Sequence, residues 1–174
     1  MDKIKLKEEL TLHHTNFINS IQSLPKEHWQ ISYNGKWSAA QQLDHIVKSV
    51  SPVKLAFILP AFLLKLVFGK ANRKSRSYDE LVAKYHEKLK AGGRASGRFL
   101  PPPKIDSVES LSKKLNEVTR SLTTKIDSFS EEQLDLLILP HPLLGKLTLR
   151  EMLYFTIYHV QHHQAQVIEN AKTK

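Results

Sequence analysis

The sequence predicts an all-α protein built as a four-helix bundle. Four long stretches carry apolar residues at spacings of three and four, which is the period of an amphipathic helix. Several of these stretches begin with Ser or Thr three residues ahead of Glu or Gln, a pattern that caps the free amides of a helix. No segment alternates persistently between apolar and polar residues, so no strand is predicted. A chain of 174 residues should form a single domain, residues 1–174, around one core.

The first half of the chain should contain two long helices. The first is predicted from about Lys3 to Leu24, where Pro25 ends it. The second should begin at Ser38, whose hydroxyl caps the free amides while the side chain of Gln41 reaches back. Two prolines further on each remove an amide donor, so the segment as far as residue 68 should be kinked or split. These prolines are Pro52 and Pro60.

The second half should contain the other two long helices. The third has the most regular apolar stripe, over residues 108–129, with Asp106 or Ser107 as its cap. A capping box at residues 130–133 should begin one short helix, which a loop over residues 139–146 follows. The fourth helix should begin at Thr148, in a capping box with Glu151, and continue to about residue 170.

The connection between the second and third helices is long and irregular. It should hold a short helix at Tyr78–Leu89 and then an extended excursion, rich in Gly and Pro, over residues 91–103. Because this connection is so long, the topology need not be a simple up-and-down bundle.

Composition excludes several classes of function. The chain has no cysteine, which rules out disulfides, iron–sulfur clusters and thiolate zinc sites, so His, Asp or Glu must hold any metal. The N-terminal segment lacks the apolar core of a signal peptide, and the most apolar stretch, residues 55–68, is shorter than the roughly 20 residues that a spanning helix needs. A cytoplasmic protein with no membrane partner is therefore expected.

The net charge of +9 raises the question of an anionic partner. No nucleic-acid motif is present, and no aromatic residues are interleaved with the basic runs, so no nucleic-acid partner is expected. The basic residues, densest at 70–76 and followed by Arg94 and Arg98, are interpreted as solvated surface or as an attraction for an anionic substrate.

Two histidines carry the strongest chemical signal in the chain. His159 and His163 are four residues apart on the predicted fourth helix, so both imidazoles can reach one ion from the same helix face. A hydrogen-bonded pair of core histidines is the alternative. His162 lies beside them, either against the pair or at the surface.

A third histidine on a neighbouring helix would complete a site with open coordination positions. His45 is the candidate, but the apolar residues of its helix lie on the opposite side, so the pattern places His45 toward solvent or a polar cleft. Spacing alone therefore leaves its role open. The remaining histidines lack such spacing and are predicted at the surface: His13, His14, His28, His86 and His141.

Two blocks of sequence resemble the DinB/YfiT-like metalloenzyme superfamily. The first is Gly35-Lys-Trp-Ser38 followed by Gln42-Leu-Asp-His45-Ile, and the second runs from His141 through Thr148 to Tyr158-His159-x-x-His162-His163-x-x-Gln166. The resemblance implies an up-down-down-up four-helix bundle, often a homodimer, that binds a divalent metal such as zinc or nickel. Carried over by position, the metal ligands are His45, His159 and His163.

The resemblance also implies an activity class. Members resemble transferases that use low-molecular-weight thiols, or isomerases or hydrolases, so we expect a small-molecule substrate and a thiol or water activated at the metal. Transferase chemistry is slightly favoured, and no catalytic residue beyond the ligands can be named. The alternative is a non-catalytic helical module that dimerises or binds a partner through residues 55–68.

Overall fold

Seven α-helices and a short β-hairpin make up the part of the chain that the structure, a computed structural model, describes, residues 1–32 and 35–172. The four long helices are α1 (Lys3–Gln22), α2 (Ala39–Ile58), α5 (Val108–Ile126) and α7 (Leu149–Lys172). The shorter ones are α3 (Ala61–Phe68), α4 (Tyr78–Lys90) and α6 (Glu131–Leu136). The prediction of a mainly helical protein is confirmed.

The helix starts lie where the capping residues predicted them. Ser38 accepts from the amide of Gln41, whose side chain returns a bond to the Ser38 amide, and α2 begins directly after this box. A similar box opens α6, and Ser107 caps α5. At the start of α7, the Thr148 amide donates to the Glu151 carboxylate at 2.9 Å, and the Glu151 amide donates to the Thr148 hydroxyl. Local side-chain chemistry therefore sets these boundaries.

The apolar segment after Ser38 is split, as predicted, and the break lies at Pro60. Pro52 lies inside α2, which continues as far as Ile58, while Leu59 is extended and α3 begins after Pro60. Within the described residues, no single helix is both long and apolar enough to cross a membrane. In this part of the chain, α2 and α3 together reach that length and composition, and they are bent by 113° relative to each other.

The prediction of a plain loop over residues 139–146, and of no strands, was wrong. Ile138–His141 (β1) and Gly145–Thr148 (β2) form an antiparallel hairpin, with Ile138 opposite Thr148. Gly145 has a φ of 76°, which lets the chain turn back without strain. Strands of four residues are too short for a persistent alternation, so the sequence pattern could not reveal them.

The ends of the long helices show how the bundle is assembled. The start of α1 lies against the end of α5, where Lys7 binds Asp127 at 2.8 Å, and against the start of α7, where the N-terminal ammonium group donates to Tyr154. The start of α2 lies against the second half of α7, and Phe57 at its end packs on Phe129, just beyond α5. Thus α1 and α2 each pack on both α5 and α7.

The excursion over residues 91–103 covers the first half of α2. It is irregular as predicted, apart from one 3-10 turn at Gly97–Phe99. Lys48 donates to the carbonyl of Leu100 at 2.8 Å, and the Gln41 side chain donates to the carbonyl of Pro102 at 3.1 Å. These bonds hold the excursion over a helix face that would otherwise be open to solvent.

The basic run at residues 70–76 is partly a structural element. Arg73 binds both carboxylate oxygens of Glu151, at 2.6 and 2.8 Å, and Arg76 adds its backbone amide and its guanidinium. Glu151 itself is completely buried. Burial alone would raise the pKa of Glu151, but the hydrogen bonds from Arg73, Arg76 and Thr148 outweigh it and lower the pKa. These two arginines therefore stabilise the fold through their bonds to Glu151.

Candidate metal centre

Helix α7 presents two of the predicted histidines side by side in the core. His159 and His163 are 6% and 5% exposed, and their Nε2 atoms are 3.0 Å apart. They lie one helical turn apart on the face that packs against α2. The spacing in the sequence therefore predicted their proximity correctly.

His45 on α2 meets this pair. Its Nε2 atom is 3.2 Å from Nε2 of His159, and one ligand atom from each of the three histidines lies within 4.8 Å of the other two. In residues 1–32 and 35–172, this is the one such group of three or more potential metal-ligand side chains.

The prediction that His45 faces solvent or a polar cleft was half right. The side chain is buried, with 5% exposure, so the solvent alternative was wrong. Helix α2 has two covered faces, because its apolar stripe packs on α5 while the other side is covered by α7 and the 91–103 excursion. Its polar partners are the carbonyl of Phe99 and the imidazole of His159, while Trp37 packs on its ring.

Hydrogen bonds at Nδ1 orient two of the three imidazoles. His45 Nδ1 donates to the carbonyl oxygen of Phe99 at 2.7 Å, and a carbonyl can only accept, so the proton is on Nδ1. His163 Nδ1 donates to Oε1 of Gln42. In both neutral rings Nε2 then carries a lone pair, and both lone pairs point into the space that the three histidines share.

Burial keeps these imidazoles uncharged. Desolvation is the largest cause that lowers the pKa of His45, and it holds the pKa of His159 and His163 well below the ordinary value. With two lone pairs converging, the single Nε2 proton that His159 can carry satisfies only one neighbour. A cation at the centre satisfies all three nitrogens.

The spacing of the nitrogens fits a small divalent cation. Zinc binds imidazole nitrogen at about 2.0–2.1 Å, so tetrahedral ligands lie about 3.3–3.4 Å apart. The Nε2–Nε2 separations of 3.0 and 3.2 Å are close to this value. Three neutral nitrogen donors also leave at least one coordination position for a further ligand. The residues present are therefore suited to hold a metal ion.

Aromatic rings enclose the three histidines. Trp37 stacks on His163 with an interplanar angle of 12°, and its centroid is 4.9 Å from that of His45. Phe155 stacks on His159 at 4.7 Å, and Tyr85 meets the same ring edge-on at 6.1 Å. Such walls restrict water, which strengthens electrostatic interactions inside the site. The sequence pattern did not reveal these aromatic contacts, although Trp37 belongs to the first block of the resemblance.

Three polar residues near the cluster, Asp44, His162 and Tyr85, lie outside the group of three histidines. Asp44 precedes His45 but pairs with Lys48, one turn further along the same helix, at 2.7 Å. His162 is half-buried and accepts from the Gln166 amide at 2.8 Å. Burial raises the pKa of Tyr85 to about 12, so its hydroxyl stays protonated at neutral pH.

Among the remaining histidines, the predicted surface position was wrong for His14, which is buried, and His141 is half-buried. His14 is 1% exposed, and its Nδ1 lies 2.7 Å from the carbonyl of Leu10. His141 packs edge-on against Phe155, with a centroid distance of 4.2 Å. Burial lowers the pKa of both side chains to about 4. Each lies on a packed element without the i, i+4 repeat that marked the pair on α7.

Comparison with known proteins places this geometry in a wider context. The profile of the DinB superfamily matches residues 9–167. Among solved structures, YfiT from Bacillus subtilis is similar with a TM-score of 0.66 and 18% identity, over 98% of this chain and 86% of that one. YfiT is described as a probable metal-dependent hydrolase with an unusual four-helix bundle topology. No curated protein matches the chain.

Proposed function

The chain belongs to the DinB superfamily, and from this premise we propose that it is a metal-dependent enzyme whose divalent cation is held by His45, His159 and His163. The observation that carries the proposal is the convergence of three buried Nε2 atoms, two of them in rings whose Nδ1 proton is already donated elsewhere. Similarity to a protein described as a probable metal-dependent hydrolase supports the same class.

Zinc and nickel are the first candidates for the metal. Imidazole nitrogen suits both ions, and the chain offers neither thiolates nor a carboxylate in the cluster. Hard cations such as magnesium and calcium prefer oxygen ligands and are disfavoured here.

The proposed chemistry is the transfer or hydrolysis of a small-molecule substrate. A bound divalent cation with open positions would polarise an electrophile and lower the pKa of a water or thiol toward neutrality. The chain's own residues hold the imidazoles neutral through burial, orient them through Phe99 and Gln42, and exclude water through Trp37 and Phe155. A low-molecular-weight thiol is a suitable nucleophile because a cysteine-free protein cannot form a mixed disulfide with it.

The metal content of the purified protein tests this proposal. Wild-type protein should contain about one equivalent of zinc or nickel per chain, or take it up on incubation, because three preformed nitrogen donors bind such ions tightly. His159→Ala should lose most of this metal, because only two of the three nitrogen donors remain. Elemental analysis after desalting measures both.

The exposed His86 provides a matched control, and His86→Ala should keep the wild-type metal content. Wild-type protein that neither carries metal nor takes up zinc or nickel would refute the proposed function. A screen with several thiols and with water as nucleophiles would then separate transferase from hydrolase activity in the loaded protein.

We further propose that the four long helices follow an up-down-down-up course. The contacts at the helix ends support this arrangement: the start of α1 meets the end of α5 and the start of α7, whereas the start of α2 meets the second half of α7. The end of α2 lies with the end of α5, as Phe57 and Phe129 show. The topology of YfiT, described as unusual for a four-helix bundle, is consistent with it.

A second candidate function is self-association through the exposed apolar surface of α2 and α3, either in a homodimeric enzyme or in a non-catalytic module. Five large apolar side chains there are 46–79% exposed, more than isolated surface residues would explain. They are Leu55, Ile58, Phe62, Leu66 and Val67.

Replacing Leu66 with Asp should disrupt this self-association. Leu66 is 79% exposed, so the fold tolerates the change while a carboxylate is placed in the proposed interface. Sedimentation velocity should show a wild-type dimer and a Leu66→Asp monomer of unchanged metal content. Ile4→Asp, at a 68% exposed position on α1, should remain dimeric. A monomeric wild-type protein would contradict the proposal.

A further inference from the structure

We propose that Gln42 is a positioning residue for metal binding: it selects the tautomer of His163 that leaves Nε2 free, and Gln166 holds it in the required orientation. The inference rests on the proposed metal site and concerns the residues behind it. The spacing in the sequence could not reveal the contact between Gln42 and His163, because Gln42 lies on α2, whereas Gln166 lies on the next turn of α7.

Gln42 lies at the start of a chain of hydrogen bonds. Its Oε1 accepts from Nδ1 of His163, and its Nε2 donates to Oε1 of Gln166 at 2.9 Å. The amide nitrogen of Gln166 in turn donates to Nε2 of His162 at 2.8 Å. Gln42 is 2% exposed and Gln166 is half-buried, so the inner part of the chain is protected from water.

The direction of these bonds determines where the proton of His163 lies. If the Gln42 amide were reversed, its NH2 group would face Nδ1 of His163, which would then have to accept, and the proton would move to Nε2. The same reversal would place the Gln42 oxygen against the Gln166 oxygen, unless Gln166 reversed as well. Gln166 therefore opposes the reversal of Gln42, and the pair keeps the Nε2 lone pair directed at the site.

The Nδ1 atoms of His45 and His163 donate to different kinds of acceptor. Nδ1 of His45 is held by the backbone carbonyl of Phe99, which no side-chain substitution removes. Nδ1 of His163 depends on a side chain, so Gln42 is the contact that can be changed alone. Partners of this kind typically change metal affinity by about 10–100-fold when they are lost.

Zinc titration of metal-free protein against a competing chelator tests the inference. Gln42→Met keeps the length of the side chain but removes the acceptor, and should weaken zinc binding by about 10–100-fold. Gln42→Glu keeps an acceptor for Nδ1 and should bind zinc at least as tightly as wild type. Gln166→Met should cause a smaller loss, and adding it to Gln42→Met should cause little further loss because both act on His163.

The urea unfolding of each metal-free variant separates positioning from a purely structural role. A buried carboxylate should make Gln42→Glu less stable than Gln42→Met, whereas the order of zinc affinities should be the reverse. If affinity instead followed stability across the variants, the positioning role would be refuted. Gln161→Met is the matched control: Gln161 lies on α7 and binds Tyr78 at 3.1 Å, so its loss should leave zinc affinity unchanged.

The zinc titration can refute the role of Gln42 without refuting the proposed metal-dependent function. If wild type binds zinc and the Kd of Gln42→Met for zinc is within twofold of the wild-type value, the role of Gln42 is overturned. The three-histidine site would then remain supported. If Gln42→Met does not fold, an unchanged affinity in Gln166→Met would overturn the inference in the same way. Wild-type protein that binds no zinc would overturn both proposals.

Discussion

Zinc should raise the unfolding free energy of the metal-free protein by about 4 kcal/mol when its free concentration is a thousand times its Kd. His45 and the pair on α7 are brought together only by folding, so the unfolded chain lacks the site and binds zinc poorly. Burial already keeps the pKa of all three imidazoles low, so zinc displaces few protons from the folded protein at neutral pH. Guanidinium denaturation at pH 7 with and without buffered zinc measures the gain.

A ligand variant should lose this gain. His45→Phe fills a similar volume but leaves only two nitrogen donors, so zinc should add little to its stability. His28→Gln, at a half-buried histidine outside the cluster, should gain as much as wild type. Equal stabilisation of wild type and His45→Phe would show that zinc binds elsewhere.

Glu151→Leu should lower the unfolding free energy by about 3–5 kcal/mol, the usual result of removing one partner of a buried ion pair. The completely buried carboxylate accepts from Arg73, from Arg76 and from the amide of Thr148 at the start of α7. Removing it leaves the two guanidinium groups without their anion and breaks the capping box. Urea denaturation of the metal-free protein measures the loss.

Glu131 offers a comparison at a carboxylate that is only partly buried. Its side chain is 48% exposed and pairs with Arg150 at 2.6 Å, and Arg150 also binds Asp135. Because Glu131 is half exposed and the buried Arg150 keeps Asp135 as a partner, Glu131→Gln should lose much less stability than Glu151→Leu. Similar losses in both variants would indicate that burial does not decide the effect.

Local chemistry accounts for what could be predicted of the fold. A hydroxyl three residues ahead of an amide or carboxylate side chain can cap a helix without help from the rest of the fold. Ser38 and Thr148 accordingly lie at the starts of α2 and α7. Pro60 disfavours the helical conformation at the preceding Leu59, so α2 ends at Ile58, whereas Pro52 is accommodated inside α2. The hairpin at residues 138–148 was not predicted, because each four-residue strand forms only by pairing with the other and its own residues carry too short a pattern.

The same distinction applies to the site. The neighbouring positions of His159 and His163 follow from the helical repeat, because residues four apart share a face whatever the surroundings. The burial of His45 does not follow from its own helix, since it requires α7 and the 91–103 excursion to cover the side opposite the apolar stripe. His14 was misplaced for a similar reason, because its burial depends on packing that its local pattern does not show.

By itself, the sequence determined the helices, their boundaries and the pair of histidines on α7, because these depend on interactions between residues within four positions of each other. Only the tertiary structure decided that His45 joins the pair, that Phe99 and Gln42 orient two of the rings, and that two arginines surround Glu151. These contacts join residues 54 to 121 positions apart, and which of the available partners meet depends on how the helices pack.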